Sequence, residues 1–335
     1  MSKFDLHKFL DGYGQNLENY IKKYYPGFKK LCVSKASTYN ECFDALLQLY
    51  FFSSQQLDDF GDKSKRKIKK RYYESFYALF CKSCQCIWSI KMCLESGCLS
   101  DASSLLRTLF ETYISLKLLS LKNPFRRARL YWNYGYVTEY QNMINNEGLV
   151  KSGKISKDEF DRQFSRSIIK NIKKNYNRIK KDYGNPKYTK WYYSLYGDKS
   201  FKQICENKDI DESINYVKLY GAFSITVHSN KKIENLLIQN NAYNLAPNYT
   251  GLIIPMTFLA LSFHINNLSI LLEFCKIKNR KDIMLFLNFF LAGLDQNIKK
   301  KESYKYFSRF IKSIIKNMKT SKFHSFTSYP PTSSQ

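Results

Sequence analysis

With 335 residues the chain is long enough to bury a large core, as one domain or two. Its 54 lysines and arginines against 28 acidic residues leave a formal charge of +26, which favours anionic partners: RNA, another nucleic acid or an anionic membrane surface. The nine cysteines are odd in number, and the start Met-Ser-Lys-Phe-Asp-Leu-His-Lys reads as polar rather than as a secretory signal, so a reducing cytoplasm with free thiols is the expected compartment.

Every long apolar segment repeats at the helical period, and no run of alternating strand patterns stands out. The expected fold is therefore all-α: a multi-helix bundle, one large helical domain with a disordered C-terminal tail. Helices are predicted near 16–24, 38–60, 65–97, 101–121, 125–147, 156–183, 211–228, 251–275 and 280–318. The expected organisation is an N-terminal helical segment at 1–62, a helical core at 63–318 and a disordered tail at 319–335. The tail holds Ser, Thr and two prolines with little to bury.

Lys63-Ser-Lys-Arg-Lys-Ile-Lys-Lys-Arg71 packs seven positive residues into nine. Cys81-Lys-Ser-Cys84-Gln-Cys86 follows in a helical pattern. Cys81 and Cys84 share a face and Cys86 points elsewhere, and no second Cys-x-x-Cys completes a zinc set. Buried free thiols are the expectation, and no metal or cofactor is expected.

The helix near 101–121, capped by Ser100 or Asp101, has apolar residues nearly all round, including Leu105, Leu106, Leu109, Phe110 and Ile114. Arg107 and Glu111 interrupt it one turn apart, on one face. Buried charges need a partner. Their ion pair is expected either to hold helices in register or to line a cleft. There Arg107 would bind a phosphate or a developing negative charge.

Pro124 is expected to open the next helix and Gly148 to end it. Ser156 with Glu159 forms a capping-box signature. The helix near 156–183 sets Arg162, Arg166, Lys170, Lys174 and Arg178 along one stripe. Phe160, Phe164, Ile168, Ile172 and Tyr176 lie opposite. The basic stripe reads as solvated surface or as a contact for phosphates. After Gly184 the aromatic stretch with Trp191, Tyr192, Tyr193, Tyr196 and Phe201 resists assignment; it suits hydrophobic contacts or stacking of unpaired bases.

Tyr220, Ser224 and His228 follow at steps of four on one helix face. Imidazole transfers protons near neutral pH, which makes His228 a candidate general base or acid. No Gly-x-Ser-x-Gly elbow surrounds Ser224 to make it a nucleophile. Ser229 to Tyr249 reads as loop. Asn235–Leu272 carries no formal charge, but Pro255, His264, Asn266 and Asn267 argue for a buried core helix rather than a membrane span. His264 is expected to be a buried, hydrogen-bonded side chain. The last helical segment is expected to break near Gly293.

At the Arg107-x-x-x-Glu111 and Ser224-x-x-x-His228 helices the chain resembles a bacterial family of uncharacterised helical domains, over about residues 75–275. The resemblance implies a helical fold and makes Arg107, Glu111, Ser224 and His228 shared positions, without an established reaction. A looser resemblance is to HEPN-type helical defence ribonucleases. Their Arg-x(4–6)-His spacing on one helix is absent here, so Arg107 and His228 would have to meet across two helices.

These readings lead to a metal-independent endoribonuclease or RNA-targeting toxin in bacterial antiviral defence. Its catalytic set would be Arg107, Glu111, Tyr220, Ser224 and His228. Its nucleic-acid contacts would be Arg162, Arg166, Lys170, Lys174 and Arg178. The alternative is a helical scaffold or sensor for a protein, nucleic acid or small anionic ligand. Homo-oligomerisation stays open.

Overall fold

The computed structural model describes residues 36–64, 70–183, 190–197, 199–217, 238–239, 242–243, 252–277 and 279–299. Within these the chain forms helices α1 (Asn40–Ser64), α2 (Lys70–Glu95), α3 (Leu99–Ser120), α4 (Pro124–Lys151), α5 (Lys157–Gln163) and α6 (Arg166–Ile179). Short helices α7 (Tyr193–Tyr196), α8 (Phe201–Cys205) and α9 (Ser213–Asn215) follow. Then come α10 (Ile253–Phe274) and α11 (Arg280–Lys299). The strands among the described residues are a two-residue antiparallel pair, with Ile238 opposite Tyr243 and Gln239 opposite Ala242. The fold is all-α, as the periodicity predicts.

The uncharged segment is the central helix of the bundle. α10 packs against α1, α2, α3 and α11, and nearly every residue from Ile253 to Leu272 is buried. It is long and apolar enough to cross a membrane, yet its faces are covered by protein. Pro255 falls in its first turn, where the missing N–H has no helical partner to lose. The helix stops at Lys276, which takes a left-handed conformation with φ 53°. The amides of Lys276 and Ile277 bond back to Glu273 and Leu272 at 3.0 Å each. This Schellman turn folds Ile277 onto the core.

The same device sets two other boundaries. Gly97, at φ 71°, closes α2 through Gly97 N–H to Leu94 and Cys98 N–H to Cys93. α3 then begins at once, at Leu99, with no side-chain cap. Ser100 and Asp101 therefore lie inside its first turn rather than capping it. Gly153, at φ 69°, ends α4 in the same way, so the chain runs straight through Gly148. A glycine stops a helix only where the backbone turns left-handed, and Gly148 stays helical. α11 likewise continues through Gly293 to Lys299.

One expected cap, Ser156, forms, and Asn123 adds a second ahead of the expected start at Pro124. Asn123 accepts from the Arg126 amide ahead of Pro124, and Ser156 accepts from the Glu159 amide. The predicted helix at 156–183 divides instead. Phe164 leaves the helical conformation, and Ser165 caps a new helix by accepting from the Ile168 amide. The break lets Phe160 and Phe164 stack at 5.0 Å and bury together with Met143 and Ile172. Ile168 is turned outward, 44% exposed, and so leaves the apolar stripe.

α4 and α6 form an antiparallel hairpin with its own small core. Tyr140 stacks on Tyr176 at 3.8 Å, and nearer the body the Tyr183 hydroxyl donates to the Leu130 carbonyl. A 28-residue helix is about 42 Å long. The far half of α4 therefore reaches beyond the main core and is covered by α5 and α6.

Candidate functional site

Along α3 five of the half-buried residues form one polar strip: Ser104, Arg107, Thr108, Glu111 and Ser115. The rest of the helix from Leu106 to Leu119 is otherwise largely sunk in the core, although Leu105 is half-buried. Arg107 Nε donates to Glu111 Oε1 at 3.0 Å. The Arg107 side chain is 17% exposed and that of Glu111 42%. Such a pair stabilises a helix by only about 0.3–0.5 kcal/mol. The Arg107 guanidinium is largely covered and carries part of the desolvation cost of a buried charge, while Glu111 reaches the surface. Thr108 and Ser104 hydroxyls donate to main-chain carbonyls one turn earlier and so serve the helix itself.

Tyr220, Ser224 and His228 lie outside the described residues, as do most of Lys63–Arg71 and the predicted tail. The described part of the 211–228 segment ends at residue 217, after α9. Its beginning is clamped onto α3 by a cluster that no local pattern in the sequence announces. Buried Glu212 accepts from the Tyr113 hydroxyl at 2.6 Å and from Lys117 Nζ at 2.6 Å on one oxygen. Its other oxygen accepts from Asn215 Nδ2 at 2.6 Å. Just before it, Asp211 takes a left-handed conformation, φ 49°, which turns Glu212 inward. Burial, then the Glu212 carboxylate, pushes the Tyr113 hydroxyl well above its usual range, so it stays a donor. Burial likewise raises the neighbouring Cys205 thiol to about 12. Tyr113 and Lys117 show in the sequence as a polar pair one turn apart. Their partner is 95 residues from Lys117, where spacing carries no information.

His264 is wholly buried in α10 and stacks on Phe80 at 5.2 Å. Its Nε2 lies 2.8 Å from Ser53 Oγ on α1, and its Nδ1 lies 2.7 Å from Ser83 Oγ on α2. Asn267 Nδ2 donates to the same Ser83 oxygen at 2.8 Å. Burial lowers its pKa to about 3, so the ring is neutral at physiological pH. This is the hydrogen-bonded core histidine the sequence suggested, and it ties three helices together.

The cysteine cluster is part of the core. Cys84 and Cys86 are buried and Cys81 is half-buried, all as free thiols. Burial pushes Cys84 up to about 12, which keeps it an inert thiol. Among the described residues no group of three or more His, Cys, Asp or Glu side chains is placed to hold a metal ion.

The break divides the basic stripe: Arg162 lies on α5, while Arg166, Lys170, Lys174 and Arg178 follow at steps of four along one face of α6. Arg162, Arg166, Lys170, Lys174 and Arg178 are all exposed. From Arg162 to Lys181 the sequence holds eight basic residues and no acidic one. None of the five forms an ion pair with a described residue. Arg178 lies over the Tyr136 ring of α4, 5.8 Å from its centroid. Trp191 and Tyr192, the other candidates for base stacking, are buried instead, with Trp191 edge-on to Tyr131 at 5.4 Å. Turn-rich sequence usually lies at the surface, which makes these rings candidates on sequence grounds. Here α4 closes over them.

The model of a family of unknown function (DUF5677) matches residues 73–244, half of the chain, and the chain belongs to that family. The match holds both Arg107–Glu111 and Ser224–His228. No curated protein and no solved structure matches the chain, and no relation to HEPN-type ribonucleases emerges.

Proposed function

We propose that this member of the family binds RNA through the outer face of α5 and α6 and cleaves it without a metal ion, as a cytoplasmic toxin or defence factor of bacteria. One observation carries the reading: five exposed cations line that face while the opposite face is packed onto α4. A surface so uncompensated lowers its own repulsion by taking up phosphates and releasing their counterions. In the reaction the ribose 2′-oxygen attacks the adjacent phosphorus and the 5′-oxygen leaves. One proton is removed from the 2′-hydroxyl and one is delivered to the leaving oxygen. Arg107 neutralises the charge that builds on the phosphorane oxygens. His228 is the proposed proton-transfer group, with Glu111, Ser224 and Tyr220 positioning it.

The test is RNA binding and turnover by the purified chain at two salt concentrations. Five phosphate contacts on a single strand give a slope of log affinity against log salt of roughly −3 to −4. Reversing Lys170, Lys174 and Arg178 to glutamate should flatten that slope by about 2 and weaken binding to every RNA sequence. Arg107→Ala should keep binding and abolish cleavage. Unchanged affinity after charge reversal would return the stripe to ordinary solvated surface.

A second reading, a helical scaffold or sensor that takes a protein partner, is favoured by α11. There Leu285, Phe286 and Phe289 stand exposed along one side of the helix.

A further inference from the structure

The α4–α6 hairpin carries an aromatic surface that adjoins its basic one. On α4, Phe125, Arg129, Trp132 and Tyr136 fall at steps of three and four and share one face. Further along that face, Tyr140 and Met143 are covered by α5 and α6. Nearer the start of α4 the cover ends, and the face emerges beside the last turn of α6. Trp132 is 38% exposed there, Arg129 is exposed, and Tyr136 is half-buried against the cluster that holds Ile179 and Tyr183. The junction is the contact of Arg178 with the Tyr136 ring. Cations therefore run along α6 to Arg178, and the aromatic rings continue from that point along α4.

An exposed indole near guanidinium groups offers a flat apolar face to a base and positive charge to its phosphates. Nucleic-acid duplexes offer phosphates but no open base faces. An unpaired strand offers both. The alternation Tyr136, Trp132, Arg129 next to Arg178 has the composition of a stacking platform: π-faces for bases and guanidinium groups for the linking phosphates. The only carboxylate within one turn of Tyr136 on α4 is the exposed Glu139.

We infer that Trp132 and Tyr136 stack unpaired bases of an RNA strand whose phosphates lie along Arg166, Lys170, Lys174 and Arg178, so that the substrate is single-stranded RNA. The inference rests on the RNA reading above and adds the substrate class and the residue that selects it. Trp132, not the buried Trp191, is the recognition tryptophan.

The experiment uses the full chain, Trp132→Leu, Trp132→Phe and the Lys170/Lys174/Arg178 charge reversal. Each is titrated against a fluorescent uridine homopolymer and a fully paired RNA duplex of equal length. The wild-type chain should prefer the single strand. Trp132→Leu should weaken single-strand binding at least roughly fivefold while leaving duplex binding unchanged. Trp132→Phe should recover most of the loss. Unchanged duplex affinity shows that the hairpin is intact. Charge reversal should weaken both ligands alike. If it does so while Trp132→Leu binds the single strand as wild type does, the stacking inference falls and the RNA reading stands. An equal loss for both ligands in Trp132→Leu, or a wild-type preference for duplex, also overturns the inference. If the wild-type chain binds neither RNA, both readings fall.

Discussion

Replacing His264 by glutamine measures how much of the response to acid passes through one core residue. The ring is fully buried between Ser53 and Ser83, and its pKa lies at about 3 against an ordinary 6.5. Between those values the unfolded chain binds a proton that the folded chain does not. Stability is therefore complete above pH 6.5 and falls as the pH drops toward 3. At about 1.4 kcal/mol per pH unit, the whole window is worth about 5 kcal/mol, and the part from pH 6.5 to 5 about 2 kcal/mol. Urea unfolding followed by circular dichroism at pH 7.5, 6.5, 5.5 and 5.0 reads this out. The carboxylates and the other histidines are common to both proteins, so the difference in slope belongs to His264. The glutamine variant should lose about 2 kcal/mol at pH 7.5, because it cannot satisfy both serines in the ring's place. It should then show a much flatter dependence between pH 6.5 and 5. Parallel pH dependences in the two proteins would refute the reasoning and show that the ring is not held neutral by burial.

Two glycines of α4 should respond in opposite directions. Gly148→Ala, inside the helix with nothing within 4 Å of the added methyl, should stabilise by about 0.5–1 kcal/mol. Gly153→Ala, at φ +69°, should destabilise by about 1 kcal/mol. Thermal melts of both would show it, and the reverse order would mean that the helix ends at Gly148. Glu212→Ala should lower stability by about 2 kcal/mol, a buried-pair loss reduced because Lys117 is partly exposed, with Glu212→Gln losing less. A denaturation midpoint unmoved by either change would make the clamp dispensable. Arg107→Ala should lower stability by about 1 kcal/mol, because the largely covered side chain loses packing as well as its ion pair, so loss of RNA cleavage in a variant that still melts cooperatively would be a catalytic effect and not unfolding.

Much of the fold is legible in the sequence because burial on a helix repeats at a fixed interval. The position of α10, the opening of α4 at Pro124, the cap at Ser156 and the core role of Cys84 and Cys86 all follow from pattern and residue chemistry. Where the reading failed, the sequence offered two equivalent signals and tertiary contact chose between them. Gly148 and Gly153 are both candidate stops, and the backbone turns left-handed at the second. A helix through 156–183 keeps its period, yet Ser165 breaks it so that two phenylalanines reach Met143. Of the candidate site, Arg107–Glu111 is legible as an i,i+4 pair, and its half-exposed position is not.

The sequence by itself determined the all-α class, the uncharged central helix and the one-sided basic stripe. Each is a local matter of which residues recur on one side of a helix. Only the tertiary structure decided which polar groups meet: Glu212 with Tyr113 and Lys117, and His264 with serines on two other helices. It also decided which aromatics stay at the surface, burying Trp191 under α4 and leaving Trp132 exposed beside Arg178 and Tyr136. The physical reason is that exposure belongs to the neighbours as much as to the residue. Those neighbours are brought together by chain crossings of about forty (Tyr136 to Arg178) up to 211 residues (Ser53 to His264), over which no periodicity survives.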